Sequence, residues 1–229
     1  MNFQGFSKET LPFLKEIRQN NNKEWFVEQK SRYEKLILQP SRAFVEEMGE
    51  HLMAIEPAIN AVPKINGSLF RIYKDTRRNK TALSEPIKTH IGFIFWQGNG
   101  RRMQCSSFYM HFSPEEMTVA VGIRWFEKEI LDTYREYIKE KKHREELAHI
   151  LDELRNKGYM LTEPSMKRYP RGFDKSMSFV ELSLYKEMAA IKRYDPHLIE
   201  NADKLIDTLY KDYEAMAPLQ QWLYKMSVS

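Results

Sequence analysis

At 229 residues, with 42% hydrophobic and 13% aromatic side chains, the chain can bury a real core, and its length favours one large domain. No apolar run approaches the roughly 20 residues that a bilayer-crossing helix needs, and Met1 to Glu16 lacks a cationic head followed by an apolar segment, so no membrane span and no secretory signal are expected. The net charge of +4 hides an uneven spread: Lys64 to Arg102 has nine Lys or Arg against two acids, Lys167 to Lys175 has four against one, and the rest carries a net −6. An acidic scaffold with two basic inserts points to an anionic ligand or partner more strongly than the mild overall balance does. The single cysteine, Cys105, excludes an internal disulfide, and a reducing cytoplasm is the expected location.

Ser7 or Thr10 is the expected cap of a first helix to about Gln19, with Leu11, Leu14 and Ile17 at helical spacing. Asn20-Asn21-Asn22 breaks it, and Asn22 is a candidate N-cap for the next helix. That helix has Trp25, Phe26, Tyr33 and Ile37 on its apolar side and is expected to end before Pro40. A third helix carries Phe44, Val45, Met48, Leu52 and Ile55 and stops near Pro57. Such stripes are packing faces.

The middle reads as β. Leu69–Tyr73 is followed by Thr89–Trp96, Gln104–Phe112 and Met117–Arg124, with Gly98-Asn99-Gly100 and Ser113-Pro114-Glu115-Glu116 as hairpin connectors. Alternation puts Phe108, Met110 and Phe112 on one face with Met117, Val119, Val121 and Ile123. The other face then has Ser107, Tyr109 and His111 with Thr118, Ala120, Gly122 and Arg124. A glycine in mid-strand marks either a bulge or a close approach of backbone or ligand. Ile91, Phe93, Ile94, Phe95 and Trp96 give an almost continuous apolar strand, expected to be covered on both faces.

The last hundred residues read as mainly helical. Phe126 to Lys141 and His143 to Lys157 form two amphipathic helices, the second capped by Gly158. A basic loop, Met166 to Asp174, precedes a helix expected over Ser178 to Ile191. Asp195, with Pro196 in the first turn, is the expected cap of a long C-terminal helix interrupted at Pro218. The expected fold is therefore α+β: a single domain, 1–229, with a mainly antiparallel sheet of about four to six strands flanked by N- and C-terminal helices.

Several phrases carry a family likeness. They are Phe3-Gln4-Gly5-Phe6, Asn20-Asn21-Asn22-Lys23-Glu24-Trp25-Phe26, Pro40, Phe70-Arg71-Ile72-Tyr73-Lys74-Asp75-Thr76-Arg77, Lys88-Thr89-His90-Ile91-Gly92, and Lys167-Arg168-Tyr169-Pro170-Arg171-Gly172-Phe173-Asp174. In that order they resemble DUF2461, a family of conserved hypothetical proteins, over nearly the whole chain. The resemblance implies a bacterial-type α+β domain and brings no activity with it. Where the family usually has Pro-Tyr-Lys, this chain has Pro86-Ile87-Lys88.

The candidate site is the basic loop around Arg71, Asp75, Arg77 and Lys88. Arginine presents planar paired donors that fit carboxylate or phosphate, and lysine adds a point charge. Asp75 is placed to orient one guanidinium. Lys167 and Arg171, with Arg168, are expected to extend the patch. The expectation is an anion pocket for a phosphate- or carboxylate-bearing small molecule, with enzymatic activity left open and the cofactor unknown. The competing reading is nucleic acid on the same basic surface, with Tyr73, Trp96, Tyr169 and Phe173 available for stacking, although no helix-turn-helix, zinc-ligand or RNP-like phrase accompanies it. A third is a partner surface at Tyr210, Tyr213, Trp222 and Tyr224. No P-loop, GxSxG or HExxH phrase occurs. His90 and His111 form a pair of strand histidines without a third ligand, so no metal site is expected.

Overall fold

The computed structural model describes residues 2–75 and 85–229. Its strands are β1 (Ile59–Asn60), β2 (Ile91–Gln97), β3 (Ser107–Phe112), β4 (Met117–Ile123), β5 (Met160–Leu161) and β6 (Met188–Tyr194). They form one antiparallel sheet in the order β1-β2-β3-β4-β6-β5, so the fold is α+β with helices flanking the sheet. Packing divides the chain into two compact units. The first comprises Met1–Phe95, Tyr109–Val119 and Arg193–Lys211, and the second Trp96–Phe108, Ala120–Lys192 and Asp212–Ser229.

The first unit begins with α1 (Thr10–Gln19), which buries Leu11, Phe13, Leu14 and Ile17. Asn22 caps α2 (Lys23–Glu28) as expected, its Oδ1 accepting from the Trp25 amide at 2.8 Å. The helix expected to end before Pro40 does not. From α3 (Lys30–Tyr33) the chain passes through a π-turn, Glu34–Leu38, directly into α4 (Gln39–Met53). Proline has no amide to give the carbonyl four residues back, that of Leu36. That carbonyl instead accepts from the Thr10 hydroxyl at 3.1 Å, inside the core, which removes the cost that would otherwise end the helix.

The core of this unit is aromatic. Phe6 lies 4.8 Å from Phe112 and Phe44 lies 4.8 Å from Phe93, both edge-to-face, and Phe3 reaches Phe44 at 5.4 Å. All are buried. The irregular N-terminal segment is fixed by the Phe6 amide donating to the Ile199 carbonyl at 2.9 Å and the Phe3 amide donating to Glu47 at 2.8 Å.

Leu69–Tyr73 is not a continuous strand. Leu69 bridges to Phe93 and Tyr73 to Ile87, with Arg71 between the two pairings. The Phe70 amide still donates to the Gly92 carbonyl at 3.1 Å, while Lys88 donates to Ile72 and Lys74 to Pro86, each at 2.8 Å. The segment thus leaves β2 at Arg71 and takes residues 86–88 as its new partner.

In the second unit, α5 (Lys128–Tyr137) and α6 (Lys141–Asn156) match the expected amphipathic pair. Gly158 follows in the left-handed region, φ 84°, its amide on Arg155. The helix expected over Ser178–Ile191 is replaced by a 3-10 turn, Val180–Leu184, and strand β6. Phe179 enters that turn with φ 53°, a conformation no continuing right-handed helix contains. Met188 and Ala190 then alternate into the core while Met160 and Leu161 pair with Ile191 and Ala190. Gly122 has φ 145°, and a Cβ there would collide with the Met188 carbonyl oxygen. Of the two readings of this glycine, the structure supports close approach of backbone.

Asp195 caps a short 3-10 segment, Pro196–Glu200, rather than the C-terminal helix, its carboxylate accepting from the His197 amide at 2.8 Å. The C-terminal helix, α7 (Ala202–Ser227), starts after Asn201, which caps it through the Lys204 amide at 2.9 Å. It runs through Pro218. Tyr213, Met216, Leu219 and Leu223 are all fully buried, and that burial outweighs the roughly 3 kcal/mol cost of an interior proline. Among the described residues, no helix is long and apolar enough to cross a membrane.

Candidate functional site

The two faces of β2 and β3 divide the labour in the first unit. Phe93, Phe95, Met110 and Phe112 point into the core, where all are fully buried. The opposite face carries Gly92 from β2 and Tyr109 and His111 from β3. Because Gly92 has no side chain, other groups close over it. A Cβ at Gly92 would come within 3.2 Å of the Phe70 ring and 3.3 Å of the Tyr109 hydroxyl.

Four rings therefore form a chain on this face. Phe70 and Tyr109 are 6.0 Å apart and inclined at 76°, Tyr109 and His111 are 5.6 Å apart, and His111 and His90 are 5.7 Å apart. Phe70, Tyr109 and His111 are half-buried and His90 is exposed.

The basic loop begins at one end of this chain of rings. The Lys88 ammonium donates to the Arg71 carbonyl at 2.9 Å and lies 5.7 Å from the centre of the Phe70 ring. The Arg71 guanidinium is 3.4 Å from the Asp75 carboxylate, with both side chains more than two-fifths exposed. That separation exceeds the 2.7–2.9 Å or so of a strong charge-assisted bond, so Asp75 balances the guanidinium loosely. Lys74 pairs with Glu85 at 3.1 Å.

Asn21 positions Lys88 from outside the loop. Its side-chain amide donates to the Ile87 carbonyl and its Oδ1 accepts from the Ile87 amide, both at 2.9 Å. This paired contact holds the backbone immediately before Lys88 against the turn between α1 and α2. The sequence gives Asn21 no role beyond the helix break and the family phrase, and nothing in its spacing distinguishes a breaker from a residue that imitates a strand partner.

Of the expected site residues, Arg71 is joined to Asp75 through its guanidinium and to Lys88 through its backbone carbonyl. Arg77 lies outside the described residues. Lys167 and Arg171 belong to the second unit, where both are exposed on the loop before Asp174. Asp174 accepts from the Ser176 hydroxyl and amide, and those bonds hold its carboxyl below the usual range. The His90 and His111 rings are neighbours, 5.7 Å apart, and among the described residues no group of three His, Cys, Asp or Glu could hold a metal ion. Cys105 is buried, and burial pushes its thiol above its ordinary value, which disfavours the thiolate.

The second unit has two buried polar clusters that the sequence did not reveal. The Asp212 side chain, 4% exposed, accepts from the Lys192 ammonium at 3.0 Å and the Tyr159 hydroxyl at 2.9 Å. The Arg144 guanidinium donates to the Ile138, Lys139 and Ser178 carbonyls at 2.6 to 2.9 Å. It thereby satisfies the carbonyl end of α5 with a positive charge, where the helix dipole favours one. Both clusters are buried supports.

Fold and site together define an α+β protein with a ring-lined polar sheet face bordered by a basic loop. The chain belongs to the DUF2461 family of conserved hypothetical proteins, whose profile matches residues 9–222. No curated protein matches it.

Proposed function

We propose that this protein binds a small anionic ligand, bearing phosphate or carboxylate, at the basic loop where Arg71 and Lys88 meet. The observation that carries this reading is the Lys88 ammonium seated on the Arg71 carbonyl. One loop junction thus has two cations, in a chain whose remainder outside the basic inserts is net acidic. Guanidinium and ammonium together suit an anion with several oxygens, the first by paired donors and the second by point charge. The loose Asp75 pairing leaves the guanidinium exchangeable: an exposed ion pair contributes about 0.2–1 kcal/mol, which a phosphate or carboxylate ligand can match. Lys167 and Arg171 are the corresponding candidates on the second unit's loop, and Arg77 belongs to the same basic run in sequence.

The test is a thermal-shift screen of phosphate, pyrophosphate, dicarboxylates, sugar phosphates and a short single-stranded oligonucleotide at low and physiological salt. A ligand at about a hundred times its Kd stabilises by about 2.7 kcal/mol. Binding by the wild type, lost in Arg71→Ala and weakened in Lys88→Ala, supports the reading. Identical responses from wild type and both variants would sink it. A response confined to the oligonucleotide, with steep salt dependence, would favour nucleic acid instead.

A further inference from the structure

The basic loop borders a row of rings, and that juxtaposition has consequences for what kind of anion fits. Phosphate alone needs only the cations. Yet Phe70, Tyr109, His111 and His90 form a continuous series with centroid spacings of 5.6 to 6.0 Å. Lys88, against the Phe70 ring, joins that series to the cations. The rings also stand on an outward sheet face rather than in the aromatic core, which is built on the other face from Phe44, Phe93 and Phe112.

The need for Gly92 sharpens the point. With its Cβ position 3.2 Å from Phe70 and 3.3 Å from Tyr109, a larger residue would require both rings to give by a few tenths of an ångström. The glycine lets Phe70 and Tyr109 pack low over β2, while His90 is exposed beyond them. A row of partly open, mutually inclined rings offers both faces and edges to a flat apolar group.

Resting on the anion-binding reading above, we propose that the ligand is a planar ring compound carrying its anionic group at one end, of the nucleoside monophosphate class. The phosphate occupies the Arg71 and Lys88 end, and the heterocycle lies along Tyr109, His111 and His90. Base–aromatic stacking accepts any base because every base has a π-face, so the ring row selects for a ring rather than for one base.

Calorimetric titration with adenosine monophosphate, uridine monophosphate, ribose 5-phosphate and adenosine tests this. The wild type is expected to bind the two nucleotides about tenfold more tightly than ribose 5-phosphate, in line with the usual contribution of one stacked base. Arg71→Ala removes nucleotide binding. Tyr109→Leu and His90→Ala each reduce the preference over ribose 5-phosphate to less than about threefold. His90 is exposed, so its variant keeps the test open even if Tyr109→Leu does not fold. Equal binding of ribose 5-phosphate and nucleotide by the wild type overturns the ring inference while leaving the anion site standing. Retention of the nucleotide preference in His90→Ala and in a folded Tyr109→Leu also overturns it. Failure of every anion to bind overturns both.

Discussion

Asp75→Asn separates the two roles that a carboxylate beside a candidate anion site can have. The substitution is close to isosteric and removes one negative charge 3.4 Å from the Arg71 guanidinium. With both side chains more than two-fifths exposed, the pair contributes about 0.2–1 kcal/mol to stability, so Tm should fall by no more than about 4 °C in a chain of this size. Its effect on an anion is larger. An anion on the far side of the guanidinium sits roughly 7 Å from the carboxylate, where unit charges repel by about 0.6 kcal/mol at the dielectric of water and about 2.4 kcal/mol at an effective value of 20. For a half-exposed site about 1 kcal/mol is the reasonable figure, or roughly fivefold tighter binding. The gain should shrink between 20 and 150 mM salt, as the screening length falls to about 8 Å. Titration with pyrophosphate or the best ligand from the screen, at both salt concentrations, measures this directly. Unchanged affinity would mean that the anion is not at Arg71, and weaker binding would mean that Asp75 orients the guanidinium rather than competing for it.

Other substitutions probe the supports. Asn21→Ala removes both side-chain bonds to Ile87, and should cost about 1–2 kcal/mol in chemical denaturation; if Lys88 depends on that clamp, ligand affinity falls by more than the fraction unfolded explains. Gly122→Ala forces a Cβ onto the Met188 carbonyl at φ 145° and should cost more than about 2 kcal/mol, with a Tm near wild type counting against the close approach. Arg144→Leu leaves three carbonyls without their donor and should destabilise by about 3 kcal/mol, whereas a loss below 1 kcal/mol would show water replacing it. Burial raises the Tyr33 hydroxyl to about 12. A folded pKa above the unfolded value of 10 gives stability that is complete below pH 10 and lost as pH rises toward 12, about 2–3 kcal/mol in all. Tyr33→Phe should flatten that part of the stability curve, and an unchanged alkaline limb would contradict the assignment.

Much of the fold was legible because most of its elements have one buried face. The alternation in β3 and β4, the unbroken apolar run of β2 and the stripes of α1, α4 and α6 each point to one structure. The failures occur where a local signal was answered by a distant residue. Pro40 marks a helix end by every local rule, yet the Thr10 hydroxyl supplies the bond that proline cannot. Pro218 is carried through by burial of the turns on either side of it. At Met188–Tyr194, apolar residues fit both helical and strand periods. The decision comes from Phe179 and from a neighbour as short as Met160–Leu161, which no periodicity announces.

The site was legible to a different depth. Charge density marks the loop, and the family phrases pick out Arg71, Asp75, Arg77 and Lys88 within it. The β3 alternation separated Tyr109 and His111 from the core. Neither signal could show that the two sets adjoin, because their link is Phe70, which belongs to a segment that pairs with β2 and then leaves it at Arg71. A regular strand over Leu69–Tyr73 would have alternated Phe70 and Ile72 onto one face. The break instead gives Phe70 to Gly92 and sends the next residues to pair with 86–88, which brings Lys88 back over the Phe70 ring. The interrupted strand is therefore the feature that joins cations to rings. Restoring regular pairing there would separate the two halves of the proposed site without removing a single charge.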